Sequence, residues 1–134
     1  MLWTQGERDA KIGQTAAEYE ADLNEFIGDT RSRYGTDLPF FLSRLSSGQI
    51  AIPETGLAEI RAAQENVAAS DPFAWVIDTD GMGLQTDDLH FNPAGQIALG
   101  EAFGQAYVES VPEPATLLLA LLALAAAPLR VRHG

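Results

Sequence analysis

The sequence lacks cysteine and is poor in basic residues. Without cysteine, neither a disulfide framework nor a thiolate metal site can form. Lys and Arg number 8 against 19 Asp and Glu in 134 residues. When Arg130, Arg132 and Glu113 of the C-terminal tail are set aside, 6 basic residues remain against 18 acidic ones. Such an acidic surface repels phosphate backbones, so we expect no nucleic-acid partner.

The first residues also lack the pattern of a secretory signal peptide. No basic region followed by an apolar run is present at the start of this sequence. The length of 134 residues suits a single domain.

Strands alternate with helices over the first 110 residues, which indicates an α/β domain with a parallel sheet. Leu2 and Trp3 look like the end of a buried strand, and residues 5–9 look like the loop after it. Only two further strands are predicted, which is few for a parallel sheet buried on both faces. We therefore expect the C-terminal part of a larger α/β domain, with apolar faces of Trp3, Phe40, Phe41 and Trp75 left uncovered. The predicted helices cover about residues 15–35, 57–68 and 93–108, and the further strands cover 38–42 and 74–77.

Residues 87–95 carry the strongest chemical signal. Asp87 lies three residues before His90, where a carboxylate can hold an imidazole, and this arrangement suits a general base. Asn92 and Pro93 are typical of a helix start, so His90 is expected on the loop before a helix. The alternative is an exposed loop histidine without a chemical role.

These residues belong to a set of blocks that resembles an SGNH-type carbohydrate esterase, the group with sialate O-acetylesterases and acetylxylan esterases. The resemblance covers residues 1–110 and implies the C-terminal part of a three-layer α/β/α, flavodoxin-like domain. The similar blocks, in chain order, are Trp3-Thr4-Gln5-Gly6-Glu7-Arg8-Asp9, Leu38-Pro39-Phe40, Arg61-Ala62-Ala63-Gln64, Asp78-Thr79-Asp80-Gly81-Met82 and Asp87-Asp88-Leu89-His90-Phe91.

The resemblance implies a serine hydrolase that removes acetyl groups from sugars without a cofactor or metal. It makes His90 the general base, Asp87 the residue that orients His90, and Gln5 the side-chain donor of the oxyanion site. Glu7 and Asp9 are expected to tie loops together. The family's nucleophilic serine belongs to a Gly-Gln-Ser block upstream of the first block matched here, so it is absent from this sequence.

That absence leaves alternatives open. The chain is expected to be a fragment of a carbohydrate O-acetylesterase. It is otherwise a non-catalytic surface protein with a degenerate esterase half-domain, or an enzyme that takes its serine from a second polypeptide. A calcium site at Asp78 and Asp80 is disfavoured because further ligands are missing, and Gly81 and Gly83 are expected to supply positive φ angles.

The composition changes after Val111. Residues 111–116 are predicted to form a linker, 117–129 an apolar helix, and 130–134 a basic end. We expect the 15 uncharged residues from 115 to 129 to be directed to a membrane; the alternative is a helix packed on the domain. Val-Pro-Glu-Pro, an apolar helix and arginines resemble a PEP-CTERM sorting signal. This resemblance implies export to the cell envelope of a Gram-negative bacterium, transient membrane anchoring through residues 117–129, and recognition by sorting machinery.

Overall fold

The computed structural model describes residues 1–111, which form a three-stranded parallel sheet with helices on both faces. The strand order is β1-β2-β3, so β2 is central. The predicted α/β class and parallel sheet are confirmed for these residues. The elements in chain order are β1 Leu2–Trp3, α1 Glu7–Ile12, α2 Ala16–Tyr34, β2 Phe40–Ser43, α3 Glu54–Ser70, β3 Ala74–Ile77 and α4 Pro93–Ser110.

Alternation along β2 divides the core between the two faces of the sheet. Phe40 and Leu42 pack with α2 and α3, whereas Phe41 packs with Leu99 and Phe103 of α4. Successive side chains of a strand point to opposite faces, so one strand supplies both cores. Phe40 and Phe41 are 0% and 1% exposed, so the expectation that they would be left uncovered is wrong.

The start of the chain differs from the prediction in two ways. Leu2 is 56% exposed, because β1 is an edge strand rather than a buried one. Residues 7–9 form the first turn of α1 instead of a loop. Gly6 permits this short turn into a helix with a φ of 135°, and a Cβ there would lie 2.9 Å from Ile60.

The predicted helix signals are confirmed by the caps. The Thr15 side chain accepts a hydrogen bond from the Glu18 N–H, and the Glu18 carboxylate accepts one from the Thr15 N–H, which completes a capping box at α2. Asn92 caps α4 through a 2.9 Å bond that its Oδ1 accepts from the Gly95 N–H, with Pro93 in the first turn.

The glycines of the loop before α4 act differently from expectation. Gly81 has a positive φ of 79°, but Gly83 does not have a positive φ. A Cβ at Gly83 would lie 2.6 Å from the Asn92 side chain, and one at Gly95 would lie 2.2 Å from the Gly83 carbonyl oxygen. Because glycine has no side chain, the loop at Gly83 can lie directly against the start of α4 at Gly95.

The predicted tail lies outside the described residues, and with it the linker, the apolar helix and the basic end. Within residues 1–111, no helix is both long and apolar enough to cross a bilayer.

Candidate active site

The three loops that follow β1, β2 and β3 meet at the carboxyl edge of the sheet, where ligands bind in open α/β folds. They cover residues 4–6, 44–53 and 78–92. All three predicted site residues lie on these loops, with Gln5 after β1 and Asp87 and His90 after β3.

Asp87 and His90 form a direct pair. The Asp87 Oδ2 lies 2.6 Å from the His90 Nδ1, while its Oδ1 accepts 3.0 Å hydrogen bonds from the Leu89 and His90 N–H groups. The hydrogen bonds from the His90 ring, the His90 backbone and the Leu89 backbone lower the pKa of Asp87 from 3.8 to about 2. An ionised carboxylate therefore faces the imidazole throughout the neutral range.

The turn that carries this pair is compact and exposed. Asp88 adopts a left-handed conformation with a φ of 52°, which is uncommon for a residue with a side chain. The His90 side chain is 66% exposed, and among residues 1–111 only its Nδ1 is hydrogen-bonded. The Nε2 atom can therefore accept a proton from a group that approaches from outside.

Gln5 is fixed through its backbone. The Gln5 carbonyl oxygen accepts hydrogen bonds from the Tyr19 hydroxyl, at 3.2 Å, and from the Gln64 Nε2, at 3.0 Å. Gln5 lines a cavity of about 200 Å³ together with Trp3, Asp9 and Tyr19. No hydrogen bond in the described part of the chain joins the Gln5 side chain to Asp87 or His90, so the structure pairs those two residues but not Gln5.

Two arginines hold the loops after β2 and β3 together. Arg61 donates to both oxygens of Asp80, at 2.8 and 2.9 Å, and also to the Leu45 carbonyl oxygen. Arg44 donates to Asp78 at 2.6 Å and to Asp80 at 3.1 Å. The hydrogen bonds from Arg61 lower the pKa of Asp80, so this carboxylate stays ionised at neutral pH.

Sequence reasoning missed the polar side chains that organise these loops. Residues 43–53 lie between the predicted strand 38–42 and the predicted helix 57–68, yet Gln49 in this stretch is 1% exposed and donates a hydrogen bond to the turn before His90. Arg61 and Gln64 were noted as part of a family block without a structural role. The apolar residues that follow Gln49, namely Ile50, Ala51 and Ile52, were the available signal in the sequence.

None of the serines in residues 1–111 is hydrogen-bonded to His90. The Ser46 hydroxyl is buried and accepts from the Gly48 N–H. The hydroxyls of Ser32, Ser70 and Ser110 donate to carbonyl oxygens of their own helices. Within residues 1–111, the Asp87–His90 pair therefore has no serine hydroxyl hydrogen-bonded to it.

The described residues thus form an α/β domain with a parallel sheet and an Asp–His pair at its carboxyl edge. Residues 1–109 match the family of carbohydrate esterases described as sialic acid-specific acetylesterase. The chain belongs to this carbohydrate esterase family.

An Arabidopsis thaliana relative supports the assignment. The chain is 30% identical over 112 residues to a protein named probable carbohydrate esterase, a match that covers 82% of this chain and 40% of the relative. The crystal structure of that Arabidopsis protein, at 1.6 Å resolution, is similar with a TM-score of 0.70 and 27% identity. This likeness covers 81% of this chain and 43% of the other. The chain spans about two fifths of the length of this relative.

Proposed function

We propose that this chain supplies the acid–base part of a carbohydrate O-acetylesterase with a serine-hydrolase mechanism. The single observation that carries the proposal is the 2.6 Å contact between the Asp87 Oδ2 and the His90 Nδ1 at the carboxyl edge of the sheet. A carboxylate so placed fixes the imidazole tautomer and stabilises the imidazolium that forms during catalysis.

In the proposed reaction, His90 removes the proton of a serine hydroxyl through its Nε2 atom. The serine oxygen attacks the acetyl carbonyl carbon, and the Gln5 side-chain amide donates to the oxygen that becomes negative. An amide suits this role because it donates a hydrogen bond without itself ionising. His90 then gives this proton to the sugar oxygen as the bond between the acetyl carbon and that oxygen breaks, which releases the sugar hydroxyl. Water then attacks the acetyl-serine, His90 passes its proton to the serine oxygen, and acetate is released.

The proposal places the nucleophilic serine outside residues 1–111. The hydroxyls of the described serines are occupied within their own helices or loops or make no contact with His90. The substrate class is an acetylated carbohydrate. The pocket walls that would distinguish sialic acid from xylan are expected on the polypeptide that carries the serine.

A second candidate is a non-catalytic surface protein that retains an esterase half-domain. The observation that favours it is the lack of any serine contact at His90 within the described residues. Under both candidates we propose that the tail, through its likeness to a PEP-CTERM signal, directs export and sorting at a Gram-negative cell envelope.

Hydrolysis of a generic acetyl ester by the full chain, beside a His90→Ala variant, tests where the serine lies. Turnover that disappears in the variant would place a nucleophile inside this chain and would contradict the external serine. Without turnover, the coding DNA upstream decides between the two candidates. An in-frame segment with Gly-Gln-Ser supports the esterase, and immediate stop codons support the non-catalytic protein.

A further inference from the structure

One buried glutamine connects the turn before His90 to the rest of the domain. Gln49 is 1% exposed and lies in the loop after β2. Its Oε1 accepts a 2.8 Å hydrogen bond from the Ser46 N–H, and its Nε2 donates to the Leu89 carbonyl oxygen at 2.8 Å. The same Nε2 donates to the Glu7 Oε1 at 3.5 Å, which reaches α1.

The bond to Leu89 matters because this residue directly precedes His90. The internal bonds of the turn, from the Leu89 and His90 N–H groups to Asp87, keep its shape but do not set its position on the domain. The loop after β2 holds the turn through Gln49 and through a longer 3.4 Å bond from the Ala51 N–H to the Asp88 carbonyl oxygen. Of these two bonds the one from Gln49 is shorter, and it comes from a buried side chain.

We propose that Gln49 is a positioning residue for His90. It fixes the Leu89 carbonyl and thereby the place of the imidazole at the carboxyl edge of the sheet. This inference rests on the proposed role of His90 as the general base. A base displaced by about 1 Å loses on the order of 10²-fold in rate, so a buried anchor one residue away has a chemical consequence.

The chain contains a matched control for Gln49. Gln64 is 0% exposed and also bridges two loops, because its Oε1 accepts from the Leu45 N–H and its Nε2 donates to the Gln5 carbonyl oxygen. No hydrogen bond joins Gln64 to the turn of Asp87 and His90 in the described part of the chain. Replacing either glutamine by methionine removes a buried amide while nearly preserving side-chain volume.

The test compares Gln49→Met and Gln64→Met in the full chain by amide hydrogen exchange and by the imidazole ¹⁵N shifts of His90. We expect Gln49→Met to accelerate exchange at Leu89 and His90 by about tenfold and to shift the imidazole signals. Gln64→Met should leave both unchanged. Unchanged turn exchange in Gln49→Met, or an equal change in Gln64→Met, would overturn the proposal.

A Gln49→Glu variant keeps the test decisive if methionine prevents folding. It is combined with Glu7→Gln, which removes the neighbouring negative charge, so that at pH 7.5 the carboxylate can still accept from the Ser46 N–H but cannot donate to the Leu89 carbonyl oxygen. The expected result is a protected Ser46 amide with faster exchange at Leu89 and His90. Retained protection at all three amides would overturn the positioning role. Neither amide exchange nor the imidazole shifts require ester hydrolysis. The positioning role of Gln49 can therefore be refuted while the proposed function stands, and the proposed function can be refuted while Gln49 still fixes the turn.

Discussion

The Asp87 carboxylate binds His90 twice, through the ring and through the backbone. Its Oδ2 lies 2.6 Å from the His90 Nδ1 and its Oδ1 accepts the His90 N–H at 3.0 Å. One side chain therefore sets both the local backbone conformation at the histidine and the rotation of the imidazole. The turn keeps this geometry although it is exposed, because Asp87 supplies the hydrogen bonds locally.

We expect Asp87→Asn to reverse the tautomer of His90. The amide oxygen can still accept the backbone N–H groups, but the amide nitrogen donates to Nδ1, so the ring proton moves to Nε2. The imidazole ¹⁵N shifts measure this change directly. In a form of the protein that hydrolyses acetyl esters, kcat should fall by about 10⁴-fold.

Asp88→Asn is the matched control for this substitution. Asp88 is the exposed neighbour, its side chain makes no contact with the imidazole, and asparagine tolerates the left-handed conformation with a φ of 52°. We expect the Nδ1–H tautomer of His90 to persist. A His90 ring that responds equally to both variants would contradict the specific role of Asp87.

The ionisation of Asp87 should depend on His90. In the folded chain its pKa is about 2, below the ordinary value of 3.8. Since the folded pKa is the lower one, the stabilisation is complete above about pH 4 and is lost as the pH falls through about 2. Carboxyl ¹³C titration should show the pKa of Asp87 rising towards 3.8 in His90→Ala.

Asp78 serves as the internal reference in that titration. A hydrogen bond from the Asp80 N–H and the contact with Arg44 lower the pKa of Asp78, and neither involves His90. The Asp78 titration should therefore be the same in both proteins. A shift of Asp78 together with Asp87 would indicate a general change of the loop.

Two glycines of α4 should respond in opposite ways to alanine. A Cβ at Gly95 would lie 2.2 Å from the Gly83 carbonyl oxygen, whereas one at Gly104 would meet nothing within 4 Å. We expect Gly95→Ala to lower the free energy of unfolding by about 1–3 kcal/mol through overpacking. Gly104→Ala should raise it by about 1 kcal/mol through helix propensity. Urea unfolding of both variants measures the difference, and similar values would contradict the close approach at Gly95.

Local signals in the sequence predicted the parts of this structure that depend on neighbouring residues. The capping box at Thr15, the helix start at Asn92 and the Asp87–His90 spacing each involve residues within four positions of one another. Their geometry follows from short-range hydrogen bonding, which the order of residue types specifies.

Contacts between distant residues could not be predicted in this way. Gln49 bonds Leu89, which is 40 positions away, and Gln64 bonds Gln5, which is 59 positions away. These bonds exist because three parallel strands bring their following loops to one edge. The role of Gly83 was mistaken for the same reason, since its neighbour Asn92 becomes visible only in the folded loop.

The ion-pair cluster around Asp80 should support the site by holding the loops after β2 and β3 together. Both carboxylate oxygens of Asp80 accept hydrogen bonds from Arg61, and the carboxylate also accepts one from the Ser47 N–H at 2.7 Å. Asp80→Asn leaves two arginines with weaker acceptors, so we expect a loss of about 1–3 kcal/mol of stability at pH 7. Glu101→Gln, on the exposed face of α4, should change stability by less than about 0.5 kcal/mol.

The pH dependence of the free energy of unfolding distinguishes the effect of the Asp80 charge from the effect of its side-chain packing. The folded pKa of Asp80 is lowered below 3.8, so its stabilising ionisation is complete above that value and fades as the pH falls towards the folded pKa. The stability gap between the wild-type chain and Asp80→Asn should therefore narrow below about pH 4. Urea unfolding at pH 7, 4 and 3 measures the gap. A constant gap across this range would mean that packing, and not the contact with Arg61, determines the effect.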